Sequence, residues 1–145
     1  MSKQRILSAM RASNERLHLG NYEGALRVWI ELQDQYEMFC MVADWHSLTT
    51  LRAGQAFDVG RNSLEIAKDY VAAGLDPEKC AIFIQSHVPE HAELHLALSM
   101  VAGLGKLERV PTFKEKKDDL GAEQQVSYGL LGYPVLQAAD ILLYK

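Results

Sequence analysis

The residues best suited to chemistry in this sequence are His18, Gly20 and Asn21, set between an apolar run at Arg5 to Met10 and an amphipathic run at Tyr22 to Tyr36. A strand-length apolar run, a loop with a small residue and then a helix is how a parallel α/β sheet presents a helix N-terminus to a ligand. The leading N–H groups of a helix have no intrahelical acceptor, and the helix dipole adds positive character, so phosphate is the anion such an end suits. Gly20 would let a phosphate approach the backbone closely, and His18 and Asn21 can donate side-chain hydrogen bonds. The plain alternative is that Gly20 ends a turn and Asn21 caps the next helix.

Asp140 is the second informative residue. Leu136 lies one turn before it and Leu143 one turn after, so a carboxylate points along the apolar side of a predicted helix, where burial is costly unless a donor meets it. Either a ligand N–H supplies that donor or Asp140 is turned to the rim and solvated. His87, His91 and His95 recur every four residues with Glu93 among them, which invites a zinc reading because such histidines share a helix face. The zinc-hydrolase pattern, however, places Glu directly after its first His, where Ala92 stands here. These are read as surface or interface histidines, and no metal ligand is assigned.

The elements that must position these groups follow from periodicity. Ile6, Leu7, Ala9 and Met10 suit a first strand buried on both faces, and Glu37 to Ala43 a second, whose carboxyl end presents Asp44, Trp45 and His46. Between them Tyr22, Ala25, Leu26, Trp29, Ile30 and Gln33 recur at three and four, as in a helix. Thr49 to Gly60 reads as a loop. Val59, Ile66, Ala67, Tyr70 and Val71 make a helix that Gly74 closes, with Pro77 beyond, and Cys80 to Gln85 is a third buried strand. This alternation implies right-handed parallel crossovers, hence an α/β, Rossmann-like, partial doubly wound parallel sheet with helices on both faces. Pro89 begins a further helix with Leu94, Leu98 and Val101 inward and Gly103 and Gly105 near its end. Thr112 to Gln125 reads as charged and partly helical. Tyr133-Pro134 opens a last helix bearing Val135, Leu136, Ala139, Leu142 and Leu143. A Gly-x-Tyr-x-x-Ala-Leu stretch at Gly20 to Leu26 is a single copy, not a solenoid repeat.

With 145 residues and 48% hydrophobic content, one globular domain spanning 1–145 is expected. A net charge of −4 and a pI near 5.7 exclude a general nucleic-acid binder. The one basic concentration, Lys106, Arg109, Lys114, Lys116 and Lys117, is interrupted by Glu108 and Glu115 and reads as a solvated face. Cys40 and Cys80 sit inside apolar runs, as small core residues of a reducing compartment do. No leader, lipidation signal or apolar run near the about 20 residues a bilayer needs is visible, so no membrane contact and a cytoplasmic address are expected.

Leu17-His18-Leu19-Gly20-Asn21-Tyr22 followed by Gly24-Ala25-Leu26 resembles the first signature of class I aminoacyl-tRNA synthetases, and more specifically of the tryptophanyl-tRNA synthetases. Four further segments resemble that family in order: Val42 to His46, Ala73 to Lys79, Leu107 to Glu115 and Tyr133 to Lys145. The resemblance covers nearly the whole chain. It implies that 1–86 is the strand and helix core of a nucleotide-binding catalytic domain, 87–132 a helical connecting insertion and 133–145 the substrate-reading helix. It further implies that His18, Gly20 and Asn21 hold ATP, with His18 and Asn21 acting in catalysis. Tyr133, Gln137 and Asp140 would line the amino-acid pocket, Asp140 receiving the indole N–H, and His46 would stand at its edge.

Mg²⁺ would accompany ATP, and tRNA(Trp) would be the partner of the complete enzyme. Ala138-Ala139 before Asp140 favours tryptophan over a tyrosine-type ligase. Met10 to Arg16 departs from the family's usual Pro-x-Gly turn, and Ala9 stands where glycine is usual. The resemblance stops at Lys145, before the ribose-binding segment, the Lys-Met-Ser-Lys-Ser loop and the anticodon-binding domain. Weak or absent ligase activity from these residues alone is therefore the expectation, with a non-catalytic binding or interaction module on the same fold as the rival. Self-association is also expected, through the open edge of the first strand and through the region from His87 to about Lys117, which forms much of the dimer interface in that family.

Overall fold

The computed structural model describes residues 3–13, 16–49, 58–120 and 126–145, with the backbone alone at 118–120. Two compact units result: Met1–Val88 with Tyr144–Lys145, and Pro89–Leu143.

The first unit is built on three parallel strands, β1 (Arg5–Arg11), β2 (Glu37–Ala43) and β3 (Cys80–Ile84), in the order β1-β2-β3. Parallel strands need crossovers, and helices supply them. A continuous helical path joins β1 to β2 through α1 (Leu19–Asn21), a π-helical turn (Tyr22–Leu26) and α2 (Arg27–Leu32). Helices α3 (Asp44–Leu48) and α4 (Val59–Ala73) join β2 to β3. The predicted Rossmann-like α/β sheet is what the chain forms.

Side chains alternate across a strand, and here even-numbered positions face the main core: Ile6 and Met10 of β1, Met38, Cys40 and Val42 of β2, and Cys80, Ile82 and Ile84 of β3. Leu26 and Trp29 from the first crossover and Val59, Ile66 and Tyr70 from α4 cover that face. The Trp29 and Tyr70 rings meet edge to face at 5.4 Å, and the Tyr70 hydroxyl donates to the Met41 carbonyl at 3.2 Å. Odd positions face the other way, where Tyr144 packs against Phe39 and Phe83. Burial pushes the Cys40 thiol up to about 12, so it behaves as a small apolar core residue.

Burial on both faces holds for β2 alone. In β1, Arg5, Ala9 and Arg11 are exposed, and in β3 Ala81 is, because each flanking strand pairs only with β2 among the described residues. Most of the loop expected at Thr49 to Gly60 lies outside the described residues, while Val59 and Gly60 already belong to α4. Gln33, placed in the apolar stripe of its helix, is buried but not apolar in role. Its Nε2 donates to the Gly74 carbonyl at 3.1 Å and its Oε1 accepts the Asp76 N–H at 2.8 Å. Gly74 itself closes α4 as expected, at a φ of +119° that other residues adopt only under strain.

The second unit consists of α5 (Glu90–Ser99), α6 (Leu104–Leu107), α7 (Pro111–Leu120) and α8 (Tyr128–Leu143). His91 meets Asp140 and His95 lies beside Gly132, so α5 and α8 run antiparallel. Helix α8 begins five residues before Tyr133, started by Ser127, whose hydroxyl accepts the Leu130 N–H at 3.0 Å. Pro134 thus lies inside the helix rather than at its first turn. Val135, Leu136 and Ala139 are buried as expected, but Leu142 is 42% exposed. Val101, expected inward, is 81% exposed, because α5 ends at Ser99 and carries no helical face to that position. Gly105 lies within α6, whose N-cap is Gly103. Among the described residues no helix is long and apolar enough to cross a membrane.

Because Gln33 satisfies two backbone groups at the end of α4, Gln33→Ala is expected to destabilise the chain by about 2 kcal/mol. Urea denaturation followed by circular dichroism should show a lower midpoint with an unchanged slope.

Candidate functional site

The in-register pairing of β1 with β2 and of β2 with β3 brings Arg11, Ala43 and Ile84 to the same end of the sheet. The chain leaving β1 there is fastened at Ala12 and again at Arg16 and Leu17. Ala12 is fully buried, its N–H donates to Ser47 Oγ at 2.7 Å, and its carbonyl accepts Asn62 Nδ2 at 3.4 Å. Ser47 Oγ in turn donates to the Ala43 carbonyl at 2.9 Å. After residues 14 and 15, Asp69 accepts the Leu17 N–H at 3.0 Å and the Arg16 guanidinium at 2.8 Å, with Glu65 a second partner for Arg16 at 3.3 Å. A hydrogen bond from Lys68 is the main cause that holds the Glu65 carboxyl below its usual range. Asn62, Glu65 and Asp69 lie three and four apart and share one face of α4. That spacing is present in the sequence, but the apolar recurrence of the segment does not reveal it.

The fastened loop delivers His18 as the N-cap of the helical path. The His18 N–H donates to Asn21 Oδ1 at 3.1 Å and the His18 carbonyl accepts the Asn21 N–H at 2.9 Å. Asn21 therefore occupies the third helical position instead of the cap, and with Oδ1 committed to the turn it offers a ligand its Nδ2 donors. A side chain at Gly20 would stand 3.0 Å from Cε1 and Nδ1 of His18. The space that glycine leaves is thus occupied by the chain's own imidazole. Immediately beyond, the helix widens into its π turn, with the Arg27 N–H reaching the Tyr22 carbonyl five residues back, a local form often found at functional sites.

At the end of β2, Asp44 is buried and its Oδ1 accepts the N–H groups of Trp45 at 3.0 Å and Ser86 at 3.1 Å. This carboxylate ties the end of β2 to the turn after β3. Half-buried His46 follows on α3, its carbonyl accepting the Thr49 hydroxyl at 2.7 Å.

The second unit holds Tyr133, Gln137 and Asp140, four and three residues apart along α8. Tyr133 is half-buried with its hydroxyl bonded to that of Thr112, whereas Gln137 is exposed. Asp140 is 3% exposed, and its Oδ1 lies 2.7 Å from Nδ1 of His91, which is 0% exposed. His91 is therefore not a surface histidine. A buried carboxylate needs a donor, and a residue 49 positions earlier in the chain supplies one.

Comparison with known proteins matches residues 1–145 to the tRNA synthetases class I (W and Y) family. The chain belongs to that family. A tryptophan–tRNA ligase of Ralstonia nicotianae is 50% identical over 145 residues, covering 100% of this chain and 36% of the relative. One from Thermotoga maritima is 48% identical over 142 residues, covering 97% of this chain and 43% of the relative. Among solved structures, the tryptophanyl-tRNA synthetase of Campylobacter jejuni complexed with ADP and tryptophan superimposes with a TM-score of 0.84 at 36% identity, over 95% of this chain and 41% of that one. The resemblance read from the motifs is confirmed, and the chain spans roughly two-fifths of the length of these relatives.

Ser47 satisfies the buried Ala12 N–H, so Ser47→Ala leaves that donor without its partner. The expected cost is about 1 to 3 kcal/mol. Amide hydrogen exchange should show Ala12 losing protection before the central strand β2 does.

Proposed function

We propose that this chain is the amino-terminal part of a tryptophan-activating catalytic domain, binding ATP through His18, Gly20 and Asn21 and L-tryptophan through Tyr133, Gln137 and Asp140, with His46 at the pocket edge. The observation that carries this reading is Asp140, an acid kept almost wholly from water on α8 of a chain in the W and Y family. An acceptor in that setting rewards a ring that brings an N–H and penalises one that does not. The tryptophan–tRNA ligase relatives and the ADP and tryptophan complex support the choice of substrates. In the reaction, a carboxylate oxygen of tryptophan attacks the α-phosphorus of ATP, and the bond to the bridging oxygen breaks as pyrophosphate leaves. No covalent protein chemistry is needed, only in-line positioning and donors that meet developing charge. His18 and the Nδ2 of Asn21 are the donors this chain brings to the phosphates. Mg²⁺ arrives with ATP, and no protein ligand is assigned to it. tRNA(Trp) is the partner proposed for the whole protein, and the cytoplasm its compartment.

A homodimer is the assembly proposed. Its support is the apolar surface of the second unit, where Leu96, Met100, Val101 and Leu104 are all exposed. Light scattering at tens of micromolar should give twice the chain mass, and a monodisperse monomer would count against the assembly.

The functional test is tryptophan-dependent exchange of pyrophosphate into ATP, beside calorimetric titration with tryptophan and tyrosine. Tryptophan should bind at least about tenfold tighter than tyrosine, and Asp140→Ala should weaken it by a similar factor. Exchange should be lower in His18→Ala by roughly a hundredfold. Tighter binding of tyrosine would overturn the substrate choice, and variants that match the parent would overturn the site.

A further inference from the structure

The buried Asp140 carboxylate has its partner inside the chain. Nδ1 of His91 lies 2.7 Å from Asp140 Oδ1, both residues are shielded from water, and they stand on different helices, α5 and α8. A short aspartate side chain on a helix chooses among staggered χ1 positions, and a fixed partner on a neighbouring helix selects one. A carboxylate also accepts at up to about four lone-pair sites, so one bond from an imidazole does not exhaust it.

We propose that His91 is a positioning residue for substrate recognition: by donating from Nδ1 it holds Asp140 in one rotamer as an acceptor, so that the site prefers an aromatic ring bearing an N–H over an isosteric ring without one. The inference rests on the reading that Asp140 faces tryptophan. His91 does not touch the ring and acts only through the carboxylate. Two features support a directional role over generic packing. The contact is a short polar bond rather than an apolar one, and such pairs hold geometry because breaking them strands a buried charge. His95, one turn further along α5, by contrast lies beside Gly132 of α8, and its Nδ1 has no hydrogen-bond partner among the described residues. Along α5 the bond to Asp140 therefore belongs to His91 and is not a general habit of the histidine row.

The test measures affinity for L-tryptophan and for β-(3-benzothienyl)-L-alanine, in which sulfur replaces the ring N–H, by calorimetry on the whole chain. The variants are His91→Leu, which removes the donor, His91→Asn, whose amide nitrogen can take the place of Nδ1, and His91→Gln, whose amide reaches the place of Nε2. The parent should prefer tryptophan by about tenfold or more. His91→Leu should lose about tenfold in tryptophan affinity while its affinity for the sulfur analogue changes less than about threefold, and His91→Asn should restore most of the preference.

Equal loss for both ligands in His91→Leu would mean a merely structural histidine and would overturn the proposal, as would unchanged affinities. Should His91→Leu fail to fold, the Asn and Gln pair decides: preference kept in Asn and lost in Gln supports the proposal, and equal behaviour overturns it. A parent that binds tryptophan with a preference that Asp140→Ala leaves intact would instead overturn the site reading on which the inference stands, and the proposal with it.

Discussion

Parallel pairing imposes the constraint on which the first unit depends. Because β1, β2 and β3 run the same way in matched register, all three strands release their chains at one end, through Arg11, Ala43 and Ile84. The backbone that follows leaves the ladder while still largely covered, so its N–H and C=O groups must find partners outside the sheet. Ser47 and Asn62 satisfy Ala12, Asp44 satisfies Trp45 and Ser86, and Asp69 satisfies Leu17. These bonds come from α3, α4 and the end of β2, so the sheet end becomes a rigid platform of short polar links instead of a set of independent loops.

His18 inherits its place from that platform. The chain between Ala12 and Leu17 lacks a Pro-x-Gly turn, yet it is held where it leaves β1 and again where it enters the helix. What a stiff turn would do through backbone restriction is here done by side-chain acceptors and donors on α4. The exposed ion pairs in this region, Arg16 with Asp69 and Glu65, contribute little by charge alone. The bond from the Leu17 N–H to Asp69 is the one that fixes direction. At the helix start, Gly20 yields its side-chain volume to the His18 imidazole, which couples the conformation of the donor to the glycine beside it.

The second unit solves a similar problem in its interior. Among its described helices, α8 carries an acid on its covered side, and α5 meets it with His91. Burying this pair costs solvation of both groups, and replacing it with apolar residues could be stabilising. Such a pair is suited to a site where a buried acceptor is needed for recognition, the role proposed for Asp140.

The sequence by itself determined the kinds of element and the family. Continuous apolar runs marked the strands, three- and four-residue recurrence marked the helices, Gly74 marked a C-cap, and the order of the motifs from Leu17 to Lys145 placed the chain in its family. What only the tertiary structure decided were the pairings across long separations. Burial of β1 and β3 could not be read from their own residues, because exposure at Ala9 and Ala81 depends on which strand lies in the middle. The start of α8 hung on Ser127, a single cap that the later Tyr133-Pro134 signal concealed. The partner of Asp140 was equally invisible, since apolar periodicity shows that a buried acid needs a donor but carries nothing about which residue, 49 positions away, will face it once two helices pack antiparallel.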